Sequence, residues 1–209
     1  MPFTPGQRRG GSTPGLRQRH AQEEDPAVVL AAAARFLEVR SRSVDEIRRH
    51  LTAAGYRADL VEGALSRLTE LKMLDDANFA RMWVESRDRA RPRSETALRR
   101  ELVLKGIDRE LAAEVLEERR NGDGGRFDGG AADAGDARGG DGPDMVSAER
   151  LLARRAGALA RISEPRKRRE RAYALLARNG FDPGVCREAT NRFMAAAGEP
   201  TDDTEAGRD

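Results

Sequence analysis

The residues of this chain best suited to chemistry are arginines, and the chemistry they suit is the holding of anions. From 81 to 109 nine basic residues (Arg81, Arg87, Arg89, Arg91, Arg93, Arg99, Arg100, Lys105 and Arg109) face five acidic ones. From 149 to 178 ten basic residues face three acidic ones, most densely at Arg166, Lys167, Arg168 and Arg169. A guanidinium presents a planar fork of donors that matches phosphate and carboxylate oxygens two at a time. The expected binding face therefore comprises Arg81, Arg87, Arg89, Arg91, Arg93, Arg99, Arg100 and Lys105, together with Arg166, Lys167, Arg168 and Arg169. Because Lys72, Lys105 and Lys167 are the only lysines, an arginine-rich composition accounts for part of this pattern, and arginine excess alone is no proof of binding.

The remaining reactive types are too scattered for catalysis. Cys186 is the single cysteine, so no intramolecular disulfide forms, and its register suits a small core residue better than a nucleophile. His20 and His50 lie apart from any carboxylate or thiol cluster with ligand spacing. Asp75 and Asp76 stand where a helix begins, and negative charge there answers the helix dipole. Phe79 and Trp83 are four apart, the spacing of a buried stripe, and the chain has too few aromatics for a base-stacking surface. Neither a catalytic residue, a metal nor a cofactor is expected, and the chain reads as a non-enzyme.

Elements that could present such a surface follow from the composition. Of 209 residues 38% are hydrophobic, 4% aromatic and 35% charged, which suits slender helical units with thin cores. The longest apolar run, 27 to 34, is far shorter than the roughly 20 residues that span a bilayer, and no apolar leader opens the chain. A cytoplasmic protein that does not enter membranes is expected. Residues 1 to 25, polar and rich in Gly and Arg, read as a disordered tail. Residues 121 to 144 carry six acids against two arginines among glycines and alanines, the composition of a flexible acidic linker. The stretch 198 to 209 reads as a disordered acidic tail.

Between these segments apolar residues recur at spacings of three and four, so the class is all-α. Gly55, Gly106 and Gly180 each end an amphipathic segment and precede one large apolar residue, Tyr56, Ile107 or Phe181, the pattern of a left-handed helix C-cap. Gly55 and Gly106 are 51 apart, and Gly106 and Gly180 are 50 apart once the 24-residue linker is set aside. Ser43 and Ser94 each stand twelve residues before their glycine as N-cap candidates, and the third unit lacks such a serine. The chain therefore divides into three-helix repeats at 26–74, 75–120 and 145–197, expected to stack as an elongated, curved array. The helices are expected near 26–40, 43–54 and 58–72, then 75–90, 94–105 and 108–119, then 146–161, 165–178 and 183–197.

With the repeats aligned, their wording resembles that of the RecX regulatory proteins. The resemblance rests on the stretch from Arg42 and Ser43 through Ile47, Arg48, Arg49, His50 and Leu51 to Gly55 and Tyr56. It rests equally on the segment from Leu74 and Asp75 through Phe79 and Trp83 to Arg87, leading into Leu98, Arg99, Arg100, Glu101, Leu102, Lys105 and Gly106. The similarity is strong over 26 to 120 and weaker over 145 to 197. It implies a non-enzymatic protein that binds RecA and the RecA–DNA filament and modulates, typically by inhibition, its recombinase, ATPase and coprotease activities in DNA repair and the SOS response; a monomer is expected. Weak, sequence-tolerant DNA contact would accompany that role. The residues themselves also admit a helix-turn-helix DNA-binding protein acting without RecA, or a helical scaffold.

Overall fold

The structure, a computed structural model, describes residues 14–121 and 142–198, and every regular element among them is helical. In order these are α1 (Pro14–Ala21), α2 (Pro26–Leu37), α3 (Val44–Ala54), α4 (Ala58–Glu70), α5 (Asp76–Ala90), α6 (Glu95–Leu104), α7 (Arg109–Arg120), α8 (Pro143–Ala160), α9 (Pro165–Arg178) and α10 (Pro183–Ala196). They form two compact units, Met1–Phe79 and Ala80–Asp209. The all-α class and the tandem repeat of three helices are as the sequence pattern requires.

Local chemistry sets the helix starts. The Ser43 hydroxyl accepts from the Glu46 amide and the Ser94 hydroxyl from the Ala97 amide, both at 3.1 Å. Asp25, Asp108 and Asp182 accept amides two residues on, and Pro26 and Pro183 sit in first turns where no amide is needed. α9 differs: it starts at Pro165 behind Glu164, with no side-chain cap.

The glycine ends are left-handed, with φ of 104° at Gly55, 82° at Gly106 and 88° at Gly180. At each, the following amide reaches back five residues: Tyr56 to Leu51, Ile107 to Leu102 and Phe181 to Leu176. This is the Schellman closure, which satisfies a carbonyl that the helix leaves open and tucks the next apolar side chain inward.

Burial follows the repeats. In the first unit α2, α3 and α4 enclose Val29, Ala33, Ile47, Leu51, Val61, Ala64, Leu65 and Leu68, with Leu74 closing the set. In the third repeat α8, α9 and α10 enclose Ala148, Leu151, Leu152, Leu159, Ala172, Leu176, Phe181, Cys186 and Ala189. The many alanines let helices approach closely and keep each core thin. Cys186 is fully buried, as its register requires, and burial pushes its thiol pKa up, with Asp182 adding to the rise.

Two sequence readings need correction. The stretch read as a disordered tail over 1 to 25 contains α1, an eight-residue helix without an apolar stripe, held by contacts that composition does not reveal. Residues 1–13 of that tail, 122–141 of the linker and 199–209 lie outside the described residues. Trp83 is only half-buried, whereas Phe79, one turn earlier, is buried as expected.

A contact between successive repeats recurs in both units. The Val44 amide, first in α3, donates to Asp76 Oδ1 at 2.9 Å. The Glu95 amide, first in α6, donates to both oxygens of Asp144 at 2.9 and 3.1 Å. Each aspartate lies in the first turn of the next repeat's leading helix. Asp75 caps its own helix through the Asn78 amide, so the two adjacent acids serve different helices. Burial raises the Asp76 pKa against the lowering effect of its bond from Val44.

Candidate functional site

Most of the arginines of α5 and α6 meet acids of their own unit. Arg81 binds Glu118 through two bonds of 2.7 and 2.8 Å. Arg87 binds Glu101 at 2.6 Å, and Arg93 approaches the same carboxylate at 3.5 Å. Arg99 binds Glu95 at 2.8 Å, and Arg89 pairs with Glu85. Arg91 and Arg100 are exposed and join no ion pair among the described residues.

Trp83 lies at the centre of a charged cluster. Its indole N–H donates to Glu101 Oε2 at 3.0 Å. The Arg87 guanidinium stands 4.3 Å and the Lys105 ammonium 4.6 Å from its ring centroid, within cation–π range. The polar handle of the indole explains why this side chain stays at the surface. Sequence spacing placed it in the core because a helical stripe does not record which member carries a hydrogen bond.

The second basic group is likewise partly spent. Arg166 approaches Glu170 at 3.4 Å and Lys167 binds Glu164 at 2.6 Å. Arg168 donates to the Ile162 carbonyl at 2.6 and 3.0 Å, tying α9 back to the end of α8, and Arg169 is half-buried.

Charge that remains open lies elsewhere. Residues 75 to 121 contain eleven basic and eleven acidic residues, whereas 142 to 198 contain twelve basic and six acidic. In the latter, Arg150, Arg155, Arg161, Arg171, Arg178 and Arg187 are exposed and join no ion pair among the described residues. Lys167, Arg171 and Arg178 fall on one stripe of α9 at offsets of four and seven, spanning about 16 Å at 1.5 Å per residue, with the small Ala174 between the two arginines. A search for cation density finds the cluster at 166 to 169, but only geometry tells a tethered arginine from an open one.

Sequence reasoning missed Arg119 altogether. Its side chain is 7% exposed and joins the second repeat to the third. It donates to Asp88 at 2.9 and 3.0 Å, to Asp144 at 3.0 Å and to the Ser147 hydroxyl at 2.8 Å, while that hydroxyl donates to Asp88 at 3.2 Å. Burial alone would lower its pKa, but the bonds and charges of Asp88 and Asp144 outweigh it, and the guanidinium pKa is raised. Arg154 adds a second tie, donating to the carbonyls of Ala90 and Arg89 at the end of α5.

Among the described residues no group of His, Cys, Asp and Glu could hold a metal ion, and no helix is long and apolar enough to cross a membrane.

Comparison with known proteins places these features in a family. Residues 30–68 match the model of the first three-helix domain of RecX, and residues 75–116 match that of the second. Regulatory protein RecX of Prosthecochloris aestuarii is 38% identical over 96 residues, covering 46% of this chain and 64% of that protein, so the chain spans less than two thirds of that relative. Regulatory protein RecX of Amycolatopsis mediterranei is 32% identical over 150 residues, covering 72% of this chain and 74% of that protein. The crystal structure of RecX from Lactobacillus salivarius superposes with a TM-score of 0.60 over 81% of this chain and 97% of that one, at 16% identity, a likeness of fold. With both three-helix domains matched in order and most of the Amycolatopsis protein aligned, the chain belongs to the RecX family.

Proposed function

We propose that this chain is a non-enzymatic regulator that binds RecA and the RecA–DNA filament and restrains its recombinase, ATPase and coprotease activities. It acts as a cytoplasmic monomer built of repeats at 26–74, 75–120 and 145–197. Family membership supports the partner. One structural observation supports the mode of contact: the third repeat carries twelve basic residues against five acidic, with Arg150, Arg155, Arg161, Arg171, Arg178 and Arg187 exposed.

Within the basic face read from sequence, Arg91 and Arg100 are the open members of the second repeat. Arg81, Arg87, Arg89, Arg93 and Arg99 hold acids that an incoming anion would first have to displace, which weakens their claim. A filament offers phosphates and acidic side chains together. Open guanidinium groups on α8, α9 and α10 suit both, giving weak, salt-sensitive and sequence-tolerant contact with DNA.

The test is the single-strand-dependent ATPase of the cognate RecA with the purified chain titrated in. Suppression well below one chain per RecA is expected. No change at any ratio on an active filament would overturn the reading, and tight sequence-specific DNA binding without RecA would replace it with a helix-turn-helix repressor type of function.

A further inference from the structure

We infer that α1 is an end cap for the repeat array, seated at the corner of the first repeat where a preceding repeat would otherwise dock. Two corners are built alike, one in each unit.

In the second unit the third repeat meets the second through its glycine turn. The Ser94 amide donates to the carbonyl of Asn179, the residue before Gly180, at 3.4 Å, and Arg93 donates to the Asn179 side-chain oxygen at 2.9 Å. The approach is close: a Cβ on Gly180 would stand 2.9 Å from Ser94 Oγ and 3.0 Å from Ala97 Cβ. The start of α6 thus sits on the corner formed by Asn179, Gly180 and Phe181.

In the first unit the equivalent corner is Ala54, Gly55 and Tyr56, and α1 occupies it. His20 Nδ1 lies 2.9 Å from the Ala54 carbonyl, which can only accept, so the ring donates from Nδ1. The residue before the glycine therefore gives its carbonyl to the covering element at both corners. A Cβ on Gly55 would stand 2.8 Å from the Arg17 carbonyl oxygen and 3.1 Å from Arg17 Cα, so here too the covering helix leaves the glycine no room for a side chain, through its backbone where α6 does so through the Ser94 and Ala97 side chains. The His20 ring also stacks on Tyr56, centroids 4.2 Å apart and planes 15° apart, covering the apolar residue behind the turn.

Little else holds α1. Leu16, Arg17, Gln18 and Arg19 are exposed, and an isolated eight-residue helix is not stable in water. Its helical state depends on the corner, and the corner is a helix-docking surface whose occupant comes from the same chain. Terminal elements that close an open repeat face are a general need of stacked repeats, since each repeat offers its neighbour a surface that the last one leaves bare.

The test uses the full chain and residue-resolved hydrogen exchange, with nuclear Overhauser contacts between the His20 and Tyr56 rings as a second readout. In the native chain the ring contacts and slowed exchange of the α1 amides are expected. His20→Ala should erase that protection, speeding exchange of 17 to 21 by roughly tenfold, the factor for one interaction of about 1.4 kcal/mol. Ile47 and Leu51 should keep their native rates, which separates loss of the cap from unfolding. Coil-like exchange of α1 in the native chain, or α1 protection unchanged by His20→Ala, would overturn the inference. Neither result bears on RecA binding.

Discussion

Arg119 donates to Asp144 across 3.0 Å, and these two residues bracket the long acidic segment between the second and third repeats. The same Asp144 caps α6 through the Glu95 amide, so one carboxylate fastens the returning chain both to the end of α7 and to the start of α6. With the segment's ends pinned in this way, its length matters little to stability, since closure entropy grows only with the logarithm of loop length.

Removing the guanidinium should release the third repeat. Arg119→Met keeps the apolar stem but takes from the half-buried Asp88 and Asp144 their shared charged donor, a loss of about 1.5–3 kcal/mol. Denaturant unfolding should lose that amount and acquire a separate early phase from the third repeat. A single transition with an unchanged midpoint would mean that the cluster contributes nothing to docking.

Glycines in this chain should split by position. Gly180→Ala places a methyl against Ser94 and Ala97 at a φ of 88°, and should cost roughly 1–3 kcal/mol. Gly157→Ala, mid-helix in α8 with nothing within 4 Å, should stabilise by about 0.4–1 kcal/mol. Thermal melts of the two variants should move in opposite directions.

Acidification should weaken the first repeat through His50. Its ring stacks on Phe36 at 3.6 Å, and the Arg42 guanidinium lies 3.6 Å from the same Phe36 ring. Burial, reinforced by the Arg42 charge, lowers its pKa. A depressed histidine gives stability that is present above the unfolded-state value near 6.5 and is lost as pH falls through that value toward the folded one. Unfolding followed between pH 7.5 and 5.5 should show this loss in the native chain and a flatter profile in His50→Gln.

Charge reversal should distinguish open arginines from paired ones. Arg171→Glu with Arg178→Glu should weaken binding to the filament by ten-fold or more and reduce its salt dependence. Arg99→Glu, which sets two acids together on α6, should act mainly on stability, by a few tenths of a kcal/mol. Equal loss of filament binding from both would place the contact on α6 as well.

Helices, caps and glycine ends were legible because they are local: Ser43, Ser94, Asp108 and Asp182 signal starts within four residues, and Gly55, Gly106 and Gly180 signal stops within one. The basic face was legible only as composition. Arg81 finds Glu118 and Arg119 finds Asp88 at sequence separations above thirty, and no periodicity encodes which distant acid meets which arginine. α1 escaped for a related reason: it has no apolar stripe and is held by a glycine and a tyrosine more than thirty residues away.

The proline that opens α9 removes one recurring contact from the third repeat. In the first two repeats the leading amide of the middle helix is handed to an aspartate of the repeat that follows, Val44 to Asp76 and Glu95 to Asp144. Pro165 has no such hydrogen to give. α9 therefore lacks the amide-to-aspartate contact by which α3 and α6 each hold the helix that leads the next repeat.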